Sequence, residues 1–175
     1  AHPIQAFENM TLRDAYWGAK QVMSFRDDDI RAIVATGELS NSDAEKYLIE
    51  TLIERRDIIG RYWFSKINPL DKFIVRKSSD ILTLKFSDLG VDYGLFSASE
   101  TEYRYTVKSD GDVVEENLMI DTPEILVQIS DFFDEVIEIE IVTLRKSRNA
   151  EEKDIKVYIA NDSRGVRVAG IKRDE

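Results

Sequence analysis

The pattern of apolar and polar positions divides the chain into two parts with different periods. Before Asn68, apolar side chains recur every three or four residues, which is typical of helices. After Pro69, they alternate with polar residues, which is typical of strands. A residue that precedes proline avoids the helical region of the backbone, so the last helix should end before this pair. The pattern predicts an α+β chain with a helical subdomain over residues 1–68 and a β domain over residues 69–175.

Three helices are predicted in the first part. Thr11 and Asp14 form a capping-box-like start for the first helix, and a second helix is predicted over residues 27–36. The third helix should begin with the S-x-x-E box of Ser42 and Glu45. Residues at three- and four-residue spacing form one face of this third helix: Leu48, Leu52, Arg55, Ile59, Tyr62 and Trp63.

Seven or eight short strands are predicted in the second part, because β-branched and aromatic residues are concentrated in runs separated by turn residues. The runs cover residues 72–76, 81–86, 102–107, 113–119, 125–129, 136–146, 154–160 and 165–172. No helical pattern of useful length lies between them, which argues against parallel crossover units. The runs therefore predict an antiparallel β-sandwich of immunoglobulin-like or fibronectin type III-like kind.

One of these runs, VIEIEIVTLRK over residues 136–146, changes parity along its length. Ile137, Ile139 and Ile141 alternate with glutamates, but Val142 and Leu144 fall on the opposite parity. Two interpretations are open. A β-bulge near Ile141–Val142 would switch the faces, or the outer face of the strand becomes covered at this end.

Composition excludes several classes of function. The 175 residues carry a net charge of -10, which argues against binding to phosphate backbones. The absence of cysteine excludes disulfides, thiolate chemistry and cysteine-bound zinc, and the single histidine, His2, makes a histidine triad or metal cluster improbable. No apolar run is long enough to span a membrane, and no glycine-rich nucleotide motif occurs. No cofactor is expected.

Three stretches resemble a known group of sequences. They are residues 10–71, the run ILTLKFSDLGVDYGL and the closing GVRVAGIKR. Together they resemble the C-terminal region of large uncharacterised bacterial proteins. The resemblance covers most of the chain and implies the C-terminal part of a larger, envelope-associated protein. It favours a bacterial cell-envelope or extracellular location over a cytoplasmic one, and it brings no catalytic or binding residues.

Basic and aromatic residues are interleaved in the segment ERRDIIGRYWFSKINP. Neither Arg55 nor Arg56 has an acid three or four residues away, so each must reach solvent, cover apolar surface or find a distant partner. Asp57 and Arg61 are spaced for an ion pair. The adjacent aromatics Tyr62, Trp63 and Phe64 are expected to pack in a core or between the two parts, with an exposed aromatic platform as the alternative.

Acidic residues are concentrated between Val113 and Glu140, where nine acids occur without a base. Solvated strand faces and turns are the expected setting. Carboxylates could also bind a basic partner or calcium, and Asp110, Asp112 and Glu115 lie close in sequence, although the EF-hand spacing is absent.

These features favour a non-catalytic interaction module that docks on another protein or on the remainder of a larger chain. The candidate anchors are four aromatic residues of the helical part: Tyr16, Trp17, Tyr62 and Trp63. Carbohydrate binding by the sandwich, with a structural calcium, is the alternative, and its candidate aromatics are Tyr93, Phe96, Tyr103 and Tyr105. A carboxylate-only enzyme is a third hypothesis. Whether a small-molecule ligand binds is left open.

Overall fold

The computed structural model describes residues 9–128, 136–146 and 153–173. The chain divides into two compact units between Ser65 and Lys66, a few residues before the predicted position. The first unit is helical and the second is built of antiparallel strands, which confirms the α+β class.

The helical unit contains three helices: α1 (Leu12–Met23), α2 (Asp27–Ala35) and α3 (Ser42–Lys66). The predicted capping box of α1 is present. The Asp14 amide donates to Thr11 Oγ1 at 3.2 Å, and the Thr11 amide donates to Asp14 Oδ2 at 3.1 Å. The predicted box at Ser42 was wrong. Asn41 caps α3, because its Oδ1 accepts from the amides of Asp43 at 2.9 Å and Ala44 at 3.1 Å.

The buried side chains of this unit are few, as expected for a unit of this size. The rings of Tyr16 in α1 and Phe64 in α3 lie 5.9 Å apart, measured between centroids. The other buried positions are Ala15, Ala19, Met23, Ile30, Val34 and Gly60.

The second unit contains eight strands at the positions that the alternating runs predict. They are β1 (Leu70–Ser78), β2 (Ile81–Asp88), β3 (Thr101–Ser109), β4 (Asp112–Ile120), β5 (Glu124–Gln128), β6 (Val136–Arg145), β7 (Asp154–Asp162) and β8 (Gly165–Arg173). The short helix α4 (Leu89–Asp92) follows β2. The predicted strand over 125–129 ends at Gln128, and Ile129 lies outside the described residues.

Two antiparallel sheets form a sandwich-like arrangement. One has the order β1-β2-β5 and the other the order β4-β3-β6-β7-β8. Alternate residues of the strands enter a common core because successive side chains point to opposite faces. The fully buried members of this core include Leu82, Leu84, Ile125 and Val127 from one sheet and Val107, Ile137, Ile139, Ile141, Ile155, Val157 and Ile159 from the other.

Strand β6 keeps one register throughout, so the predicted bulge near Ile141–Val142 was wrong. Ile141 pairs with Tyr105 and Val142 with Arg104, without a shift on either side. The inward side of the strand continues from Ile141 to Thr143 and Arg145, which are polar. The apolar residues that seemed to change parity, Val142 and Leu144, lie half-buried on the outer side.

The entry into the sandwich is fixed by one buried amide. Asn68 Nδ2 donates to the carbonyls of Lys153 at 2.9 Å and Ile141 at 3.2 Å. Its Oδ1 accepts from the Leu70 amide and from Thr143 Oγ1, both at 3.2 Å. Asn68 therefore connects the start of β1 to the opposite sheet.

Candidate functional site

Helix α3 carries apolar side chains on several sides, of which two form continuous lines along the helix; Tyr47 and Ile58 are exposed on a third side. The inner side consists of Ile49, Ile53, Gly60 and Phe64, which are half-buried or buried within the chain. At about 100° per residue, a second apolar line lies about 140° around the helix from the first. We call this line the outer seam and define it as Leu48, Leu52, Arg55, Ile59 and Tyr62. All five side chains are exposed.

The outer seam is the face that the sequence pattern singled out. The pattern correctly placed these residues on one side of a helix. Packing in a core or between the two parts was the expectation for Tyr62, with an exposed platform as the alternative, and 54% of Tyr62 is exposed. The chain covers the other side of α3 instead. A helix that is apolar on two sides is normally buried on both of them. Because the outer seam is exposed in this chain, it is an apolar surface left open to solvent.

Polar substitution should distinguish the two sides of α3. Leu52→Gln is expected to change the free energy of unfolding by no more than about 0.5 kcal/mol, because the side chain is exposed. Ile53→Gln, one residue further, should lower it by about 1–3 kcal/mol, because a polar amide then replaces a half-buried apolar group. Urea unfolding of the full chain measures both. Equal losses would show that the outer seam is also part of a core.

The two adjacent arginines of α3 have different surroundings. Arg56 is 12% exposed, and its Nη2 lies 2.8 Å from both Asp27 Oδ1 and Asp57 Oδ1. Its Nη1 donates to the Phe25 carbonyl at 2.8 Å. Desolvation lowers the pKa of Arg56, but hydrogen bonds to Asp57 and Asp27 outweigh it and raise that pKa overall. Arg56 therefore has a distant partner in Asp27 and a neighbouring one in Asp57. Among the described residues, the predicted Asp57–Arg61 ion pair is absent.

Arg55 is exposed in the middle of the outer seam. Within residues 9–128, 136–146 and 153–173, no acid lies within ion-pair distance of its guanidinium. Its nearest neighbours along the same side of α3 are the apolar Leu52 and Ile59, so nothing on the helix neutralises its charge. The seam therefore presents one unneutralised cation between apolar side chains.

The four predicted anchors have different degrees of exposure. Trp17 is 65% exposed, Tyr62 is exposed, and Trp63 is half-buried with its ring 4.9 Å from that of Tyr62. Tyr16 is only 6% exposed, and its ring contacts Phe64. The structure therefore removes Tyr16 from the surface, whereas Trp17 and Tyr62 remain available to a partner.

Two of the four aromatic candidates for sugar binding lie inside the sandwich. Tyr103 and Tyr105 are buried, so neither can present an open ring face to a sugar. Phe96 lies over the guanidinium of Arg145, with the centroid 4.5 Å from Cζ, and Tyr93 is half-buried. Assigning β3 correctly from the sequence does not show that Tyr103 and Tyr105 are buried, because their burial depends on which alternate residues of the strand face the core.

Part of the acidic stretch is paired with lysines. Lys108 Nζ lies 3.5 Å from a Glu138 oxygen and 3.4 Å from a Glu140 oxygen, and Lys156 Nζ lies 3.6 Å from Glu140. Among the described residues, no three acidic or histidine side chains come together as a metal site would require. Asp131, Asp134 and Glu135 lie outside the described residues.

A shallow groove of about 330 Å³ opens beside α3. Its lining residues are Arg31, Ser42, Glu45, Lys46, Ile49, Glu50 and Ile53. Lys46 Nζ lies 3.9 Å from Glu50, and both side chains are largely exposed. The groove mixes both signs of charge with apolar side chains and does not set one carboxyl in an apolar pocket, as acid–base catalysis by two carboxyls would require.

A buried ionic cluster joins the two sheets of the sandwich. Arg145 Nη2, from β6, donates to both carboxylate oxygens of Asp88 at 2.8 Å, and the two side chains are 8% and 2% exposed. The Tyr103 hydroxyl donates to Asp88 Oδ2 at 3.0 Å. Burial, together with the Asp88 charge, raises the pKa of Tyr103 above its ordinary value. This cluster was not predicted from the sequence. Its one signal there is that Arg145 alternates in phase with the inward-facing isoleucines of β6.

The five-stranded sheet has an exposed edge strand, β4. Its exposed apolar residues are Val113, Val114, Leu118 and Met119. The strand is irregular: φ is 54° at Asn117, and the register with β3 shifts twice. Such bulges prevent a further strand from adding to an edge. Burial raises the pKa of Glu115 on this strand, and its hydrogen bond with Tyr105 partly opposes that rise. We therefore assign β4 no binding role.

Comparison with known proteins adds no family to this description. No family model matches the chain, and no curated protein matches its sequence. Within the described residues, no helix is both long and apolar enough to cross a membrane. The function of the outer seam of α3 is therefore inferred from its geometry alone.

Proposed function

We propose that this chain is a non-catalytic interaction module whose helical unit binds a protein through the outer seam of α3. The observation that carries the proposal is the second apolar side of α3, which no described residue covers. An exposed apolar line of this length on the surface of a domain marks an interaction site. Tyr62 and Arg55 belong to the residue types that dominate binding energy at interfaces.

The sandwich serves as the scaffold in this proposal. We assign it to the fibronectin type III kind, supported by its strand order. Strands β1-β2-β5 form one sheet opposite β4-β3-β6-β7, and β8 is an added edge strand. The partner is either a separate protein or the remainder of a larger chain, in keeping with the resemblance to the C-terminal regions of large bacterial proteins.

Selection of helical peptides against the full chain tests the proposal. A phage-displayed library of three-heptad amphipathic peptides should yield binders that lose affinity for the double variant Leu52→Glu/Ile59→Glu. Both substituted side chains are exposed, so the variant should keep its helical circular dichroism and its unfolding midpoint.

The matched control is Glu50→Gln, which removes an exposed charge on another side of the same helix. Selected peptides should bind this variant as they bind the wild-type chain. Peptides that bind the seam variant and the wild type equally well would locate binding elsewhere and refute the proposed function.

A further inference from the structure

The spacing of the outer-seam residues indicates which type of secondary structure can cover them. Successive seam residues are separated by four, three, four and three positions: Leu48, Leu52, Arg55, Ile59 and Tyr62. This 3-4 alternation is the a/d repeat of a coiled coil, in which a second helix inserts side chains between those of the first. A strand or an irregular loop does not match a repeat of this kind over four turns of helix.

The charge in the middle of the seam specifies one residue of that second helix. Arg55 has no carboxylate within ion-pair distance in the described part of the chain, in contrast to Arg56, which has two at 2.8 Å. Covering the seam removes water from the Arg55 guanidinium, and an unpaired charge buried in this way is strongly unfavourable. The covering helix must therefore supply a carboxylate opposite Arg55.

A second copy of the same chain meets this requirement poorly. A parallel pair places Arg55 opposite the same arginine of the other copy, where the like charges repel. An antiparallel pair places Glu45 opposite Arg55 only if Leu48 lies opposite Leu52. In that alignment Ile59 and Tyr62 extend beyond Ser42, where the other helix begins, and remain uncovered.

We propose that the outer seam binds an amphipathic helix of another protein that carries an acidic residue opposite Arg55. This inference rests on the proposed function, since it names the partner of the same surface. Apolar residues of that helix cover Leu52 and Ile59, and the acidic residue forms a charge-assisted hydrogen bond with the guanidinium.

Two synthetic peptides test the inference by fluorescence anisotropy with the full chain. Both are three-heptad helices with leucine at the a and d positions, and they differ only in one central core residue, which is Glu in one and Lys in the other. We expect the wild-type chain to bind the Glu peptide at least about tenfold more tightly than the Lys peptide. Arg55→Glu should reverse that preference, and Arg55→Gln should nearly abolish it.

The possible failures are distinguishable. If the two peptides bind equally and Ile59→Glu abolishes both, the acidic partner is refuted and the proposed function stands. If neither peptide binds, or binding is unaffected by Ile59→Glu, the seam is not a helix-binding surface and both proposals fail. If sedimentation velocity shows a wild-type dimer that Ile59→Glu dissociates, a second copy occupies the seam and the separate partner is refuted.

Discussion

Replacing Asp88 with alanine is expected to lower the free energy of unfolding by about 3–5 kcal/mol, measured by urea denaturation. The substitution leaves Arg145 buried with its charge uncompensated, because both short contacts of Nη2 are with the Asp88 carboxylate. It also removes the acceptor for the Tyr103 hydroxyl and for the Gly90 amide, which donates to Oδ1 at 2.9 Å. Few single side chains in the sandwich have so many partners.

An exposed ion pair in the same unit provides the control. Lys146 Nζ lies 2.7 Å from Glu102, with 59% of the lysine side chain exposed, so Lys146→Ala should leave the free energy of unfolding nearly unchanged. The double variant Asp88→Ala/Arg145→Met should lose much less than the sum of the two single variants, since no charge is then left unpaired. A loss below about 1 kcal/mol for Asp88→Ala would refute the role assigned to the cluster.

Replacing Asn68 with alanine is expected to lower the free energy of unfolding by about 2–4 kcal/mol. Four hydrogen bonds disappear, and the carbonyls of Ile141 and Lys153 lose the amide donor that lies between them. Thermal and urea unfolding of the full chain should both show the loss. Because Asn68 is 3% exposed, water cannot easily replace the missing amide.

The variant Asn68→Asp distinguishes the contribution of the amide donor of this side chain from that of its oxygen acceptor. The carboxylate keeps the acceptor for the Leu70 amide but places an oxygen against the two carbonyls, so at pH 7 it should be at least as destabilising as alanine. Folding should raise the pKa of this introduced carboxyl above its unfolded value of about 4, so stability should return as pH falls from that raised pKa to about 4, because the protonated carboxyl can donate. Wild-type stability of the variant at pH 7 would contradict the assignment of the amide donors.

Local periodicity was enough to predict the strands and the three helices of the first unit, but not the short helix α4. Turn chemistry and alternation gave all eight strands, and the spacing of apolar residues gave three helices, because these signals depend on residues only a few positions apart. Capping was less certain. At the start of α3, Asn41 and Ser42 are both good caps and adjacent, and the structure uses Asn41.

The candidate site was only half predictable. The sequence identified Leu48, Leu52, Arg55, Ile59 and Tyr62 as one face of a helix, but α3 has a second apolar side, and composition does not decide which one the chain itself covers. That choice depends on contacts such as Arg56 with Asp27, which are far apart in sequence. The ionic cluster could not be predicted for the same reason, since Asp88 and Arg145 come together only when the two sheets pack face to face.

The Asp88–Arg145 pair also has a consequence for the order of events during synthesis. A ribosome adds about 5–20 residues per second, so Arg145, which follows Asp88 by 57 residues, is made about 3–11 s later. In that interval the nascent β2 carries an uncompensated carboxylate, and its apolar side lacks β6 and β7, which do not yet exist. Exposed apolar surface of this kind makes the emerging chain prone to aggregation until β6 is released, and a stop codon before Arg145 would leave the carboxylate without its partner permanently.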